Sequence, residues 1–419
     1  MTTPSLSRRL GLGDAIFIGL GSMIGAGVFA VWSPAAGVAG AWLLLGLALA
    51  LVVAFANATS SAQLAAQFPT SGGTYVYGRE MLGEWPGFLA GWGFVIGKTA
   101  SCAAIALTVG AYLAPEQPLL QRIIAIATVL ILATVNAFGV TRTARLTRII
   151  VVIVLAVLAY VVVVTLLAPQ LPTADAGAPI GPVGPYQVLQ SAGLLFFAFA
   201  GYARIATMGE EVIEPRRTIP RAIVIALLGA AVVYAVVAVV LLTQLGPQLL
   251  ASTTAPLELA VRLAGLSGGW PVLVAIGAAI AAAGALLNLM TGIGRTSLAM
   301  ARNGDLPQVL AHVDPKYQVP RRAELLLAVV LCVLVAFTDL RSVIGFSSFG
   351  VLLYYTVANL AAYRQSGEHR RYPRWVQVGG AALCGLLVVT LPWQSVLAGI
   401  VMYAVGVGYR LVRRRGTAS

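Results

Sequence analysis

Three basic residues fall where an apolar chain has little use for charge. Lys98 lies in GFVIGKTASCAAIA, Arg204 in FFAFAGYARIATMGEE and Arg295 in GIGRTSLAMARNGDLP. Ionisable groups buried at membrane depth are costly and mark ligand pathways, proton relays or ion pairs. Their acidic counterparts sit elsewhere: Asp14, Glu210 and Glu211 are near the ends of apolar runs, and none is expected between those ends. A cationic ligand would need a buried carboxylate, so a neutral or acidic ligand fits better. Arg295 stands about two turns before a charged loop, within reach of Asp14, Glu210 or Glu211, and is expected to be structural. Other chemistry has little material. Cys102, Cys332 and Cys384 lie in apolar runs without the spacing of a disulfide framework or metal cluster, and His312 and His369 fall in loops. Ser101 and Cys102 beside Lys98 are the one local grouping that resembles a nucleophile with a base. No catalytic centre, metal site or cofactor is expected.

The second signal is backbone rather than side chain. GLGSMIGAGVF places glycines at 19, 21, 25 and 27 inside an apolar run. Each costs about 1 kcal/mol relative to alanine in a helix interior. A break in lipid leaves amide and carbonyl groups without water, tolerated only where they line a cavity or meet a ligand. A later run carries Gly201 at mid-depth. Interrupted helices at matching places in two halves point to a midplane binding site. Half-helix N-termini attract anions and C-termini attract cations. The competing reading, close helix packing of small residues, suits Gly21 and Gly25.

These signals require elements that span a bilayer. The chain has 419 residues, 59% hydrophobic and 10% charged, against about 25% charged in soluble domains. Apolar runs of roughly 20 residues occur near 13–36, 41–67, 87–113, 120–140, 147–168, 187–209, 221–244, 269–299, 323–338, 342–363, 375–391 and 393–411. The expectation is an all-α integral membrane protein with twelve transmembrane helices. It forms one polytopic unit over 1–419: a first repeat about 13–168, an inverted second repeat about 187–363, and two C-terminal helices about 375–411. The net charge of +13 does not indicate nucleic acid, because its placement is one-sided. With the N-terminus inside, 21 of 27 basic residues fall in cytoplasmic segments. That bias puts both termini in the cytoplasm of a multi-pass protein of the cell membrane. Arg8-Arg9 before the first run is read as topology, since the run is too long for a signal peptide. APLELAVRLAG, between the seventh and eighth runs, permits a short helix on the outer surface.

Four ordered stretches resemble amino-acid permeases of the amino acid–polyamine–organocation superfamily: GLGSMIGAGVF (19–29), QFPTSGGTYVYGREMLGEWPGFLAGW (67–92), FFAFAGYARIATMGEEVIEPRRTIPRAI (196–223) and SLAMARNGDLPQVLAHV (297–313). The resemblance implies a five-plus-five inverted repeat with broken helices 1 and 6. It also implies a small amino-acid substrate held between them. The carboxylate would meet backbone amides at Gly25, Ala26 and Gly27. The carbonyls of Met23, Phe197 and Ala200 would face the α-amino group, with Gly201 opening the second break. Tyr202, Arg204 and Lys98 are then the residues expected to set side-chain choice and coupling. Two departures stand out: Val154 takes the place of a span-5 lysine, and Gly97 that of a span-3 glutamate found in some relatives. Lys98 is the candidate to carry coupling to a proton. Sodium remains open, with Ser22 and Thr291 as oxygen donors. The activity expected is secondary active transport; an exchanger and a permease-derived sensor without net transport are the alternatives.

Overall fold

The computed structural model describes residues 9–25, 27–70, 72–138, 144–168, 180–209, 211–265, 269–314 and 319–416. The first apolar run folds as α1 (Leu12–Ile24), α2 (Gly27–Ala30) and α3 (Trp32–Ala39). A 3₁₀ turn, Gly40–Trp42, leads into α4 (Leu43–Gln67). The short α5 (Thr74–Leu82) precedes α6 (Glu84–Leu113), followed by α7 (Pro118–Ala137) and α8 (Ala144–Leu167). The sixth run divides into α9 (Pro185–Phe199), a 3₁₀ turn Ala200–Tyr202 and α10 (Ala203–Ala206). Then come α11 (Pro215–Ser252), α12 (Pro256–Leu263), α13 (Gly269–Arg302), α14 (Arg321–Phe337), α15 (Leu340–Tyr363), α16 (Arg374–Thr390) and α17 (Trp393–Gly416). Among the described residues the one extended pairing is a bridge between Leu10 and Val212.

Ten helical stretches among the described residues are long and apolar enough to cross a membrane, against the twelve read from the sequence. The ninth and eleventh runs form α14 and α16, of 17 residues each. At 1.5 Å per residue each spans about 26 Å, short of the roughly 30 Å hydrocarbon core. APLELAVRLAG does contain a helix, α12.

Burial is graded as a membrane bundle requires. Along α6 nearly every position from Gly97 to Tyr112 is buried, so this helix is enclosed rather than amphipathic. It packs between α13 and α15. Apolar side chains on α8, among them Ile149, Val152, Val163 and Leu166, are exposed instead. Apolar surface on that scale suits lipid rather than water.

Two polar assemblies tie the helices. In one, Asn359 of α15 donates to the Asn57 side chain of α4 at 2.6 Å, while Ser60 donates to its carbonyl oxygen at 2.7 Å. In the other, Asp305, just after α13, accepts from the Tyr75 hydroxyl at 2.9 Å and pairs with Arg79 at 3.3 Å and Arg410 of α17 at 3.4 Å. Glu84 pairs with Arg79, Arg410 and Arg414. The Arg410 guanidinium also lies over the rings of Trp85 and Phe88, at 4.8 and 4.6 Å.

The sequence expectation about acidic residues needs one correction. Glu324, in the first turn of α14 and inside the ninth apolar run, is only 4% exposed. The helix starts two residues earlier than the apolar run, at Arg321, and packing encloses its opening turn.

Candidate functional site

The two glycine signals are interruptions, and they meet. α1 ends at Ile24 and α2 begins at Gly27; Ala26, the residue between Gly25 and Gly27, lies outside the described residues. α9 ends at Phe199 and gives way to the 3₁₀ turn. A Cβ on Gly201 would stand 2.3 Å from the Ser22 carbonyl oxygen and 2.7 Å from the Met23 nitrogen. One on Gly27 would stand 2.6 Å from the Ala198 Cα. Only a residue without a side chain lets backbone approach backbone this closely. A second stitch joins the same two segments at one end of the bundle. There Leu10 donates to the Glu211 carbonyl at 3.0 Å and accepts from the Ile213 amide at 2.9 Å.

A helix C-terminus leaves carbonyls without intrahelical donors, and at the end of α9 side chains supply the donors. The Tyr234 hydroxyl donates to the Ala198 carbonyl at 3.1 Å. Lys98, 5% exposed, donates from Nζ to the Ala200 carbonyl at 3.2 Å. The position suits the charge, since helix C-termini favour cations.

Between the breaks, α6 and α13 lies a pocket of ≈ 630 Å³ of atom-free space, counting its open mouth. Of the residues singled out in the sequence, Met23, Gly27, Lys98, Phe197, Ala200, Gly201 and Arg204 line it. Gly25 does not: its missing Cβ points at Ala285 of α13 and at the Gly21 carbonyl. Nor does Tyr202, which is buried with its ring 5.2 Å from that of Tyr355. Ser101, noted beside Lys98, also lines the pocket; the sequence reading passed over Phe94 and Ile105 of α6, Thr207, and Asn288 and Leu289 of α13, all of which line it. Asn288 was the legible one, a lone amide in a long apolar stretch.

Arg204 is half-buried. One terminal nitrogen donates to the Thr207 hydroxyl at 2.9 Å, and its buried Nε has no acceptor. Arg295 pairs with Glu211, one of the three carboxylates it could reach. Burial opposes the Glu211 charge, but Arg295 and then Arg204 outweigh it and hold that carboxyl below its ordinary value. Ser22 lines the pocket with its hydroxyl donating to Ile18 within α1. Thr291 is bonded to Asn136 and Leu287, away from the pocket lining. Val154 is buried in the core of α8. Phe29 and Tyr112 pack edge to face, ring centroids 5.5 Å apart, with the Tyr112 hydroxyl donating to the Phe29 carbonyl.

The chain is 54% identical over 409 residues to an uncharacterized transporter of Mycobacterium tuberculosis (strain H37Rv), covering 98% of this chain and 92% of that protein. It is 24% identical to the branched-chain amino acid permease BcaP of Bacillus subtilis, over 96% of this chain and 92% of that one. It is 30% identical to human cationic amino acid transporter 4, over 84% of this chain and 59% of that one. The family model described as "Amino acid permease" matches residues 10–407. Ten helices among the described residues that are long and apolar enough to cross a membrane, and a pocket between two broken ones, are thus what a multi-pass membrane transporter of this kind would need, and the chain belongs to the amino acid permease family.

Proposed function

We propose that this protein is a secondary active transporter that moves an amino acid, neutral or acidic rather than cationic, across the cytoplasmic membrane by alternating access. The carrying observation is the meeting of two helix interruptions, backbone against backbone, at one pocket. In this reading α14 and α16 complete twelve spans. Residues 13–168 and 187–363 are the inverted repeats, α16 and α17 are additions, and the basic segments hold both termini in the cytoplasm. Of the amides expected to receive the substrate carboxylate, that of Gly27 is at the pocket and takes this part, and the carbonyls of Met23, Phe197 and Ala200 receive its α-ammonium. The lack of Asp or Glu among the described lining residues disfavours a cationic side chain. The relatives' names include both branched-chain and cationic amino acids, so they leave substrate charge to the pocket.

Lys98 is the coupling candidate. Its ammonium occupies one of the carbonyls assigned to the α-ammonium, so its protonation and substrate binding are linked. Flux of radiolabelled amino acids into proteoliposomes tests the reading; absence of accumulation under every ion gradient, with or without internal substrate, would refute it. Lys98→Met is expected to abolish uptake driven by a pH gradient while the protein remains folded. Uptake unchanged in that variant rules out the coupling role.

A further inference from the structure

The charge balance of the pocket goes further than the family does. Lys98 and Arg204 both line it, and no Asp or Glu stands among its described lining residues. Among the described residues neither has a carboxylate within ion-pair distance. The acid that acts on Arg204 through space, Glu211, is already bound by Arg295. Arg204 cannot shed its charge, so a surplus positive charge persists even when Lys98 is neutral. A zwitterionic substrate brings no net charge and leaves that surplus standing. Moreover, the Ala200 carbonyl already holds the Lys98 ammonium, which leaves one acceptor fewer for a substrate amine beside the Met23 and Phe197 carbonyls. Among the described residues Arg204 Nε has no acceptor, and Lys98 Nζ donates to the Ala200 carbonyl with further hydrogens to offer.

We infer that the substrate carries a second carboxylate, received by Arg204 with Lys98, so that it enters with a net negative charge. The inference rests on the proposed reading of the pocket as a transport site. The chemistry is that of a dicarboxylic amino acid or of a dicarboxylate of similar length without the amine. Lys98 then supplies the cation that a substrate amine would otherwise bring to the end of α9. Arginine and its analogues are rejected by like charge, and neutral amino acids bind weakly because they leave Arg204 unneutralised.

The test measures binding to the purified full chain by thermal shift and by competition against radiolabelled glutamate. The probes are glutamate, aspartate, succinate, alanine, leucine and arginine. Glutamate or aspartate, or succinate where the amine is not read, is expected to bind on the order of 100-fold more tightly than alanine and leucine. That is the scale of one charge pair at about 5 Å in the effective dielectric of a protein. Arg204→Gln should collapse the glutamate-to-leucine affinity ratio by a similar factor, and Arg204→Lys should recover part of it. If Arg204→Gln does not fold, the wild-type ranking and the lysine variant decide. Leucine, alanine or arginine binding as tightly as the dicarboxylates overturns the inference and leaves the transport site standing. No binding or flux by any probe overturns the transport-site reading itself.

Discussion

The contact between the two helix breaks gives the most exacting prediction. In Gly201→Ala the new methyl would stand 2.3 Å from the Ser22 carbonyl oxygen and 2.4 Å from its carbon, where ordinary contact begins near 3.4 Å. Both obstacles are backbone, so no rotamer change can relieve the clash. The breaks must separate by about 1 Å, to ordinary van der Waals distance. Overpacking of this kind costs roughly 1–3 kcal/mol, and a shift of that size at a positioned site lowers ligand affinity further. The variant should fold with reduced thermal stability and lose at least about tenfold in amino-acid uptake, beyond the loss expected from stability. Gly385→Ala is the control: a Cβ there meets nothing within 4 Å, and alanine gains about 1 kcal/mol of helix propensity. Uptake should be measured in proteoliposomes at matched protein content, alongside melting in detergent. Wild-type uptake and stability in Gly201→Ala would show that the breaks do not press together as described.

Asp305→Asn removes the charge shared by Arg79 and Arg410. Breaking a buried pair on one side costs about 3–5 kcal/mol, so the melting temperature should fall markedly; an unchanged melting curve would contradict the network. Glu211 supplies a pH signature. Its carboxyl is held below the ordinary carboxylate value near 4.3 by Arg295 and Arg204 against the opposing effect of burial. Its contribution to stability is therefore present above that value and lost as pH falls toward the folded one. Glu211→Gln should lower the melting temperature at pH 7 and flatten its acid-side decline. Parallel melting profiles for both proteins would refute this.

What the sequence revealed was mainly what one residue type dictates alone. Glycines at 25, 27 and 201 announced breaks because two glycine-marked interruptions fall at matching places in the two halves, which close helix packing alone does not require. Lys98 announced a buried charge because it lies a dozen residues into its run. The Arg295–Glu211 pair was one of three geometrically open choices, and only packing selected it. Facing was harder to read. The 3₁₀ turn at 200–202 advances each residue by about 20° more than an α-helix, enough to carry Tyr202 from the pocket to the Tyr355 ring. The contributions of Phe94, Ile105 and Leu289 depend on how α6 and α13 are brought together. No local pattern distinguishes such residues from ordinary core. The short α14 and α16 reflect the same limit, since hydropathy marks a run but neighbours decide where the helix begins and ends.

The ion-pair assembly around Asp305 and Glu84 has a mechanical consequence. It fastens the opening of α6, the end of α13 and the last helix, α17, to one another through three arginines. In the proposed transporter those helices would hold together as one block. Any movement that opens the pocket either tears Asp305 from its partners or leaves that block whole, and the second route is cheaper. Motion is thereby directed to the element with least holding it in register, the joint at Gly27 and Gly201. The joint itself carries no ion pair among the described residues; the pairs that tie the two interrupted segments, Asp14–Arg148 and Glu211–Arg295, lie away from it.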